Sequence, residues 1–136
     1  MNANTVTVST LQDTICRTIE KFPKERARIE RAATLVALGH VTQVAPDAFE
    51  VVSQSDSAVF YTVKAADFTA LATCPCIDSQ RHPEQPCKHE WAVSLVLVAE
   101  ERQRRLNARA TEQARRAVET ADSVALAYAR ATGFAA

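Results

Sequence analysis

The spacing of apolar residues at the start of the chain is helical. Residues 9–39 repeat apolar side chains at the three- and four-residue intervals of helices that face a core. Ser9 followed by Gln12 is a capping-box pattern and predicts where the first helix begins. Pro23 interrupts that helix and can open a second one, which would end at Gly39, a typical left-handed residue after a helix. The pattern therefore predicts two helices.

The period then changes to that of strands and later returns to that of a helix. Three segments are rich in β-branched and aromatic residues with partial alternation: residues 41–45, 49–53 and 59–64. They predict a small antiparallel meander, extended by a short strand before Cys74. From residue 88 to residue 131 the chain has no proline or glycine, which predicts one long helix, with a break near Asn107 as the alternative.

Length and composition favour a single domain, and the order of the predicted elements makes its class α+β. The chain has 136 residues, of which 47% are hydrophobic and 24% charged, the balance of one ordinary globular domain. We predict one domain over residues 1–136, made of a helical N-terminal part (9–39), a core with the meander and a cysteine-rich loop (40–98), and an extended Ala/Arg-rich helix (99–136).

Charge and glycine content exclude several functions. Basic and acidic residues number 16 each, which excludes a protein that wraps nucleic acid by bulk positive charge. Two glycines are too few for a Gly-rich phosphate loop. No apolar run approaches the roughly 18 residues of a membrane span, and residues 1–10 lack the features of a secretory signal. We expect a soluble intracellular protein, cytoplasmic or in the nucleoid or nucleus, without a membrane partner.

Three of the four cysteines and one histidine have the spacing of metal ligands. Cys74 and Cys76 are separated by one residue, as are Cys87 and His89, and ten residues lie between the two pairs. Three thiolates and one imidazole complete a tetrahedral structural zinc site with no position left for water. The sequence therefore predicts that these four residues hold one structural Zn²⁺.

The alternatives are buried apolar cysteines or a catalytic thiol. A nucleophilic Cys87 would need His89 or His82 as its base, but residues two apart rarely have that geometry, and a zinc-bound thiolate is quenched. We therefore expect no enzyme, with His82 as the substitute ligand if His89 does not bind. Cys16 is interpreted as a small core residue and Trp91 as a cover of the metal site.

The residues around this site resemble the SWIM zinc finger, whose signature is Cys-x-Cys, a variable loop and Cys-x-His. Cys87-Lys88-His89 matches the usual CKH triplet. Asp78 stands two residues after the second cysteine, and Ala92 stands three residues after the end of the triplet. The strand with Tyr61 and Val63 is similar to the Y-x-V strand of that family.

The resemblance covers roughly residues 41–98, with one departure. Pro75 lies between the first two cysteines, and Ile77 stands where the family often has proline. The resemblance implies a module that binds DNA or protein, of the kind found in Mutator-type transposases, chromatin remodellers and recombination-mediator subunits. It does not choose between the two uses.

Rows of basic residues, taken together with the resemblance, favour nucleic acid as the partner, and the resemblance implies DNA more than RNA. One row follows the long helix and another crosses the first two helices, as cations that track phosphates do. We expect the contacts to come from Lys21, Lys24, Arg28, Arg31, Lys88, Arg102, Arg105, Arg109 and Arg116. Each row can also be a solvated, salt-bridged face, because glutamates stand four residues before Arg105 and Arg116 and others are interspersed in the row of the first two helices.

Two functional hypotheses follow. The first is a zinc-stabilised nucleic-acid-binding module, an accessory protein of recombination, repair or transposition. The second is an interaction adapter whose long C-terminal helix pairs with a partner protein or with a second copy, without contacting nucleic acid.

Overall fold

The helices and strands follow the predicted order. The computed structural model describes residues 5–69 and 71–133, so residues 1–4 and 134–136 at the ends of the predicted domain lie outside it. In chain order the elements are α1 (Val8–Lys21), a 3-10 turn (Pro23–Glu25), α2 (Arg26–Ala37), β1 (Val41–Ala45), β2 (Ala48–Val52), β3 (Phe60–Lys64), α3 (Ile77–Arg81) and α4 (Lys88–Thr132). The fold class is α+β, as predicted.

Local chemistry sets the ends of α1 and α2. The Thr7 hydroxyl accepts a hydrogen bond from the amide of Thr10 at 3.2 Å and caps α1. The predicted cap, Ser9, is wrong by two residues and lies inside the helix. Gly39 has a φ of +72°, which is the left-handed conformation predicted after α2.

The sheet has the strand order β1-β2-β3, and both pairs are antiparallel. Val51 lies opposite Val41 in β1 and Tyr61 in β3, which fixes the register. Phe49 and Val51 of β2 and Val63 of β3 are fully buried, and Val63 lies between two exposed neighbours. The short strand predicted before Cys74 is a single bridge between Lys64 and Thr73, and this bridge brings the first ligand pair beside β3.

The core joins α2, the sheet and the start of α4. Its largest fully buried side chains are Phe49, Ile29, Leu35, Leu95, Val51, Val63 and Val93. In α4 the buried face runs through Ala92, Leu95 and Ala99, at the three- and four-residue spacing of a helix against a core.

The chain divides into two units, Met1–Gln103 and Arg104–Ala136. The first contains the sheet and the core. The described part of the second is the remainder of α4, whose side chains are exposed except for the half-buried Glu112 and Ala129. Helix α4 is continuous through Asn107, so the alternative of a break there is wrong. The single domain over residues 1–136 stays a prediction.

Candidate metal centre

The four residues predicted as ligands come together in the structure. Cys74, Cys76, Cys87 and His89 are all buried, and their ligand atoms lie within 4.8 Å of one another. The first two follow the Thr73 bridge, and the other two stand at the beginning of α4. This cluster can hold one metal ion.

Two of the distances between ligand atoms match those around a tetrahedral ion. His89 Nδ1 lies 3.7 Å from Cys74 Sγ and 3.8 Å from Cys87 Sγ. Zinc bonds of about 2.3 Å to sulfur and about 2.0 Å to nitrogen place such atoms about 3.6 Å apart in a tetrahedron. The ring therefore presents Nδ1 to the sulfurs, while Nε2 is buried and has no hydrogen-bond partner.

Two helix beginnings direct backbone amides at the sulfurs. Cys76 caps α3, and its Sγ accepts from the amide of Ser79 at 3.4 Å. Cys87 precedes α4, and its Sγ accepts from the amide of Glu90 at 3.5 Å. Amides and the positive end of a helix dipole favour thiolate, the form that binds metal.

Glu90 connects the two ligand pairs. One of its carboxylate oxygens, Oε2, accepts from the amide of Cys87 at 2.7 Å, and Oε1 accepts from the amide of Cys74 at 3.0 Å. The Ser79 hydroxyl donates to the same Oε1 at 3.3 Å. Only 8% of Glu90 is exposed, so these bonds are shielded from water.

The sequence reasoning missed Glu90, although a signal for it exists. Cys87 and Glu90 are related as the first and fourth positions of a capping box, in which each side chain accepts from the other's amide. Cysteine takes the place that serine or threonine usually has in that pattern. The same three-residue spacing relates Cys76 to Ser79.

Polar side chains on two sides bind the segment 74–89, here called the metal loop. Arg28 of α2 donates to Gln85 at 2.6 Å and to Asp78 at 3.3 Å. On the other side, Lys88 Nζ donates to Gln54, in the turn between β2 and β3, at 3.0 Å. The segment that carries the ligands, which also contains the unpredicted helix α3, is thus bonded to α2 and to the turn between β2 and β3.

An aromatic ring other than the predicted one contacts a ligand. The ring of Tyr61 lies 4.7 Å from that of His89, centroid to centroid. Trp91, predicted to cover the metal site, packs on Phe22 at 5.2 Å and donates through Nε1 to Glu25 at 3.5 Å.

Two minor predictions about cysteine and histidine have different outcomes. Cys16 is exposed, so its interpretation as a core residue is wrong. The buried face of α1 runs through Thr10 and Thr14, and Cys16 lies about 160° around the helix from Thr14. The exposed His82 lies 3.7 Å from Glu84 and is not part of the cluster.

Burial shifts the protonation of the cluster towards neutral groups. It lowers the pKa of His89 to about 4; the neighbouring Lys88 acts in the same direction, and Asp78 opposes it. A hydrogen bond with Cys74, together with burial, raises the pKa of the Cys87 thiol, and burial raises that of Cys76. The metal-free cluster therefore holds a neutral imidazole and protonated thiols at these positions.

The nine basic residues predicted to contact nucleic acid occupy different settings. Arg28 and Lys88 donate to other side chains, as described above, and Arg102 pairs with Asp13. Within the second unit, Arg116 pairs with Glu112 at 2.9 Å, and Arg105 and Arg109 are exposed. Lys21 Nζ lies 5.4 Å from the centre of the Phe22 ring, and Lys24 and Arg31 are exposed.

Comparisons of this chain with protein-family models, curated proteins and solved structures find no match. Among the residues that the structure describes, no helix has the length and apolar character needed to cross a membrane.

Proposed function

We propose that this chain is a zinc-stabilised module that binds nucleic acid, with DNA preferred over RNA. The observation that supports zinc is the buried cluster of three cysteines and one histidine. Three thiolates and an imidazole are the ligand set that favours zinc among the common divalent ions. Because the protein fills all four positions, the ion would stabilise the fold and have no place for a substrate, so we propose no catalytic role.

The ligand order supports membership of the SWIM zinc fingers as part of the same proposal. Cys-x-Cys precedes Cys-x-His, and the second pair stands at the beginning of a helix, so a bound ion would link the segment after β3 to α4. The proposal includes an accessory role in recombination, repair or transposition, since that is what the resemblance implies.

Positive charge on α4 supports nucleic acid as the ligand. Between residues 104 and 116 the sequence has five arginines and one carboxylate, that of Glu112. Almost every side chain in this stretch is exposed. A helix surface with this charge attracts phosphates and releases their counterions on binding. Arg105, Arg109 and Arg116 are the predicted contacts in this stretch.

Salt dependence tests this proposal. The zinc-loaded protein should bind labelled DNA with an affinity that falls steeply from low to moderate salt. Arg109→Ala should weaken binding and reduce the slope of log affinity against log salt by about 1. Arg130→Ala, an arginine outside the 104–116 stretch, is the matched control. Undetectable or salt-insensitive binding would refute the nucleic-acid proposal and leave the zinc site untouched.

Exposed apolar side chains favour the adapter as a second candidate. Leu106, Val124 and Tyr128 are 46%, 64% and 66% exposed and lie within about 40° of one another around α4. Such a stripe is suited to pairing with another helix. Sedimentation should then show a mass above that of the monomer that rises with concentration, and a monomer at all concentrations without any co-purifying subunit would exclude this function.

A further inference from the structure

A groove with a volume of about 640 Å³ opens in the unit that contains the metal centre. Its walls are α1, the segment after β3 and the first turns of α4. Carbon atoms make up most of its surface, with side chains of Phe22, Phe68, Leu71 and Trp91 among them. The groove is large enough for one or two planar rings.

Apolar groups at the groove are unusually open to solvent. Leu71 is 91% exposed, and the Phe22 and Phe68 rings are 40% and 39% exposed. The Phe22 ring packs on Trp91, which holds it in place at the groove wall. Rigid, half-exposed aromatic rings are the usual platform on which unpaired bases stack.

Three cations and two carboxylates line the groove. Arg17, Lys21 and Arg102 line it, and Asp13 pairs with both arginines. The two carboxylates in the lining are occupied by protein donors. Glu90 accepts from the amides of the metal loop, as described above, and Glu25 accepts from Trp91 and pairs with Arg28. A ligand would therefore meet cations at the edge and carbon on the walls.

We propose that this groove binds unpaired bases of a single-stranded nucleic acid. The bases would stack on Phe22 and lie against Leu71, and the adjoining phosphates would pair with Lys21 and Arg17. A duplex cannot present its bases in this way, because they are stacked and paired inside the helix. This inference rests on the proposed function and narrows its ligand from nucleic acid to single strands.

Three labelled probes of equal length separate stacking from charge. They are an oligothymidine of about 15 nucleotides, an abasic strand with the same number of phosphates, and a duplex. The zinc-loaded full chain should bind oligothymidine at least fivefold more tightly than either of the others, since one stacked base contributes roughly a fivefold factor or more. Equal affinity for the thymidine and abasic strands would overturn the groove proposal but leave nucleic-acid binding intact.

Matched leucine variants locate the binding surface. Leu71→Ser should weaken oligothymidine binding at least threefold and leave abasic-strand binding unchanged, because it removes a contact to bases only. Leu71 is almost fully exposed, so this variant should fold normally. Leu126→Ser, which changes an exposed leucine of the second unit, should bind like the unmodified chain.

The remaining outcomes are also decisive. If Leu71→Ser binds oligothymidine normally, the bases lie elsewhere and the groove proposal is wrong. If no probe binds at low salt, the proposed function fails and this inference fails with it. A labelled acidic peptide that contains phenylalanine provides the last comparison. If Leu71→Ser weakens the binding of this peptide and leaves the binding of the DNA probes unchanged, the groove binds a protein partner and the proposal is wrong.

Discussion

At the scale of single residues, Glu90 links the two pairs of ligands. Its two oxygens accept from the amides of Cys74 and Cys87, which are distant in sequence and adjacent in the cluster. Hydrogen bonds from amides to a buried carboxylate are stronger than those between neutral groups. The ligand loop is therefore positioned by a side chain that does not itself belong to the Cys₃His set.

Neutralising this carboxylate should weaken the site. Glu90→Gln replaces one acceptor oxygen with a donor that faces an amide, so we expect a loss of about 2 kcal/mol in the free energy of unfolding. Zinc affinity should fall at least about tenfold, as for other groups that orient ligands. Denaturant unfolding and competition with a chelator measure the two effects.

Glu100→Gln is the control for that prediction. Glu100 lies on the same helix, and burial raises the pKa of its carboxyl, so removing the charge should not destabilise the fold. Equal behaviour of the two variants would show that Glu90 has no special role at the metal site.

Protonation of the thiols should make zinc binding depend on pH. The pKa values of Cys76 and Cys87 are raised, so both thiols lose a proton when the metal binds. The pKa of His89, lowered to about 4, keeps the imidazole neutral and ready to bind at higher pH. Apparent affinity should therefore rise with pH near neutrality by at least about 100-fold per unit, because at least these two protons are released on binding.

Chelator competition at several pH values between about 6.5 and 7.5 tests this dependence, because an ordinary cysteine thiol is mostly protonated in that range. An affinity that does not change with pH would mean that these thiols are already ionised in the metal-free chain or do not bind the ion.

Helix α2 and the metal loop are connected, at the scale of elements, through Arg28. Its side chain is 20% exposed and contacts Gln85, Asp78 and Glu25. Lys88 makes the corresponding link to the turn between β2 and β3 through Gln54. These bonds explain how a loop with little regular structure keeps the ligands in place.

Removing the Arg28 side chain should destabilise the protein. We expect Arg28→Ala to lower the free energy of unfolding by about 1–2 kcal/mol, because it leaves polar partners unpaired at a half-buried position. Arg31→Ala, an exposed arginine of the same helix, should change it by less than about 0.5 kcal/mol. Thermal and denaturant unfolding of both variants decide this, and equal stabilities would contradict the structural role of Arg28.

The two parts of α4 should differ in local stability. From Lys88 to Gln103 the helix buries Trp91, Leu95 and Ala99, whereas the part after Gln103 is exposed almost throughout. Glu112 pairs with Arg115 and Arg116 there, and such exposed pairs contribute little. Amides of residues 104–132 should exchange with solvent at least about 100-fold faster than those of 91–99.

Hydrogen exchange at two protein concentrations also separates the candidate functions. Equal protection in the two parts at low concentration would contradict this account of α4. Protection of residues 104–132 that increases with protein concentration would favour pairing of two copies through the exposed apolar side chains of Leu106, Val124 and Tyr128.

At the scale of the whole molecule, the periodicity of apolar residues predicts most of the helices and strands. Strand β1 has the predicted bounds, β2 is shifted by one residue at both ends, β3 begins one residue later than predicted, and α4 ends at Thr132 as one helix. Helix α3 was not predicted, because five residues are too few to show a helical period. Cys16 was misplaced because apolar spacing in α1 does not show that threonines form its buried face.

The sequence predicts the ligands of the candidate site but not the side chains that support them. Residue type and order single out Cys74, Cys76, Cys87 and His89, because few other chemistries use this set. The supporting contacts of Glu90, Arg28 and Tyr61 depend on distances between elements, which no spacing along the chain contains. The structural use of Arg28, predicted as a phosphate contact, illustrates the same limit.

Titration of the metal-free chain with Co²⁺, followed by displacement with Zn²⁺, tests the central claim that the fold is built around a Cys₃His metal site. We expect one equivalent of Co²⁺ to produce thiolate charge-transfer absorption and the intense visible bands of tetrahedral coordination, and one equivalent of Zn²⁺ to abolish them. Cys87→Ser should weaken the charge-transfer band and lower the melting temperature of the zinc-loaded protein. Absence of these bands, or full zinc content and unchanged stability in Cys87→Ser, would contradict the metal assignment.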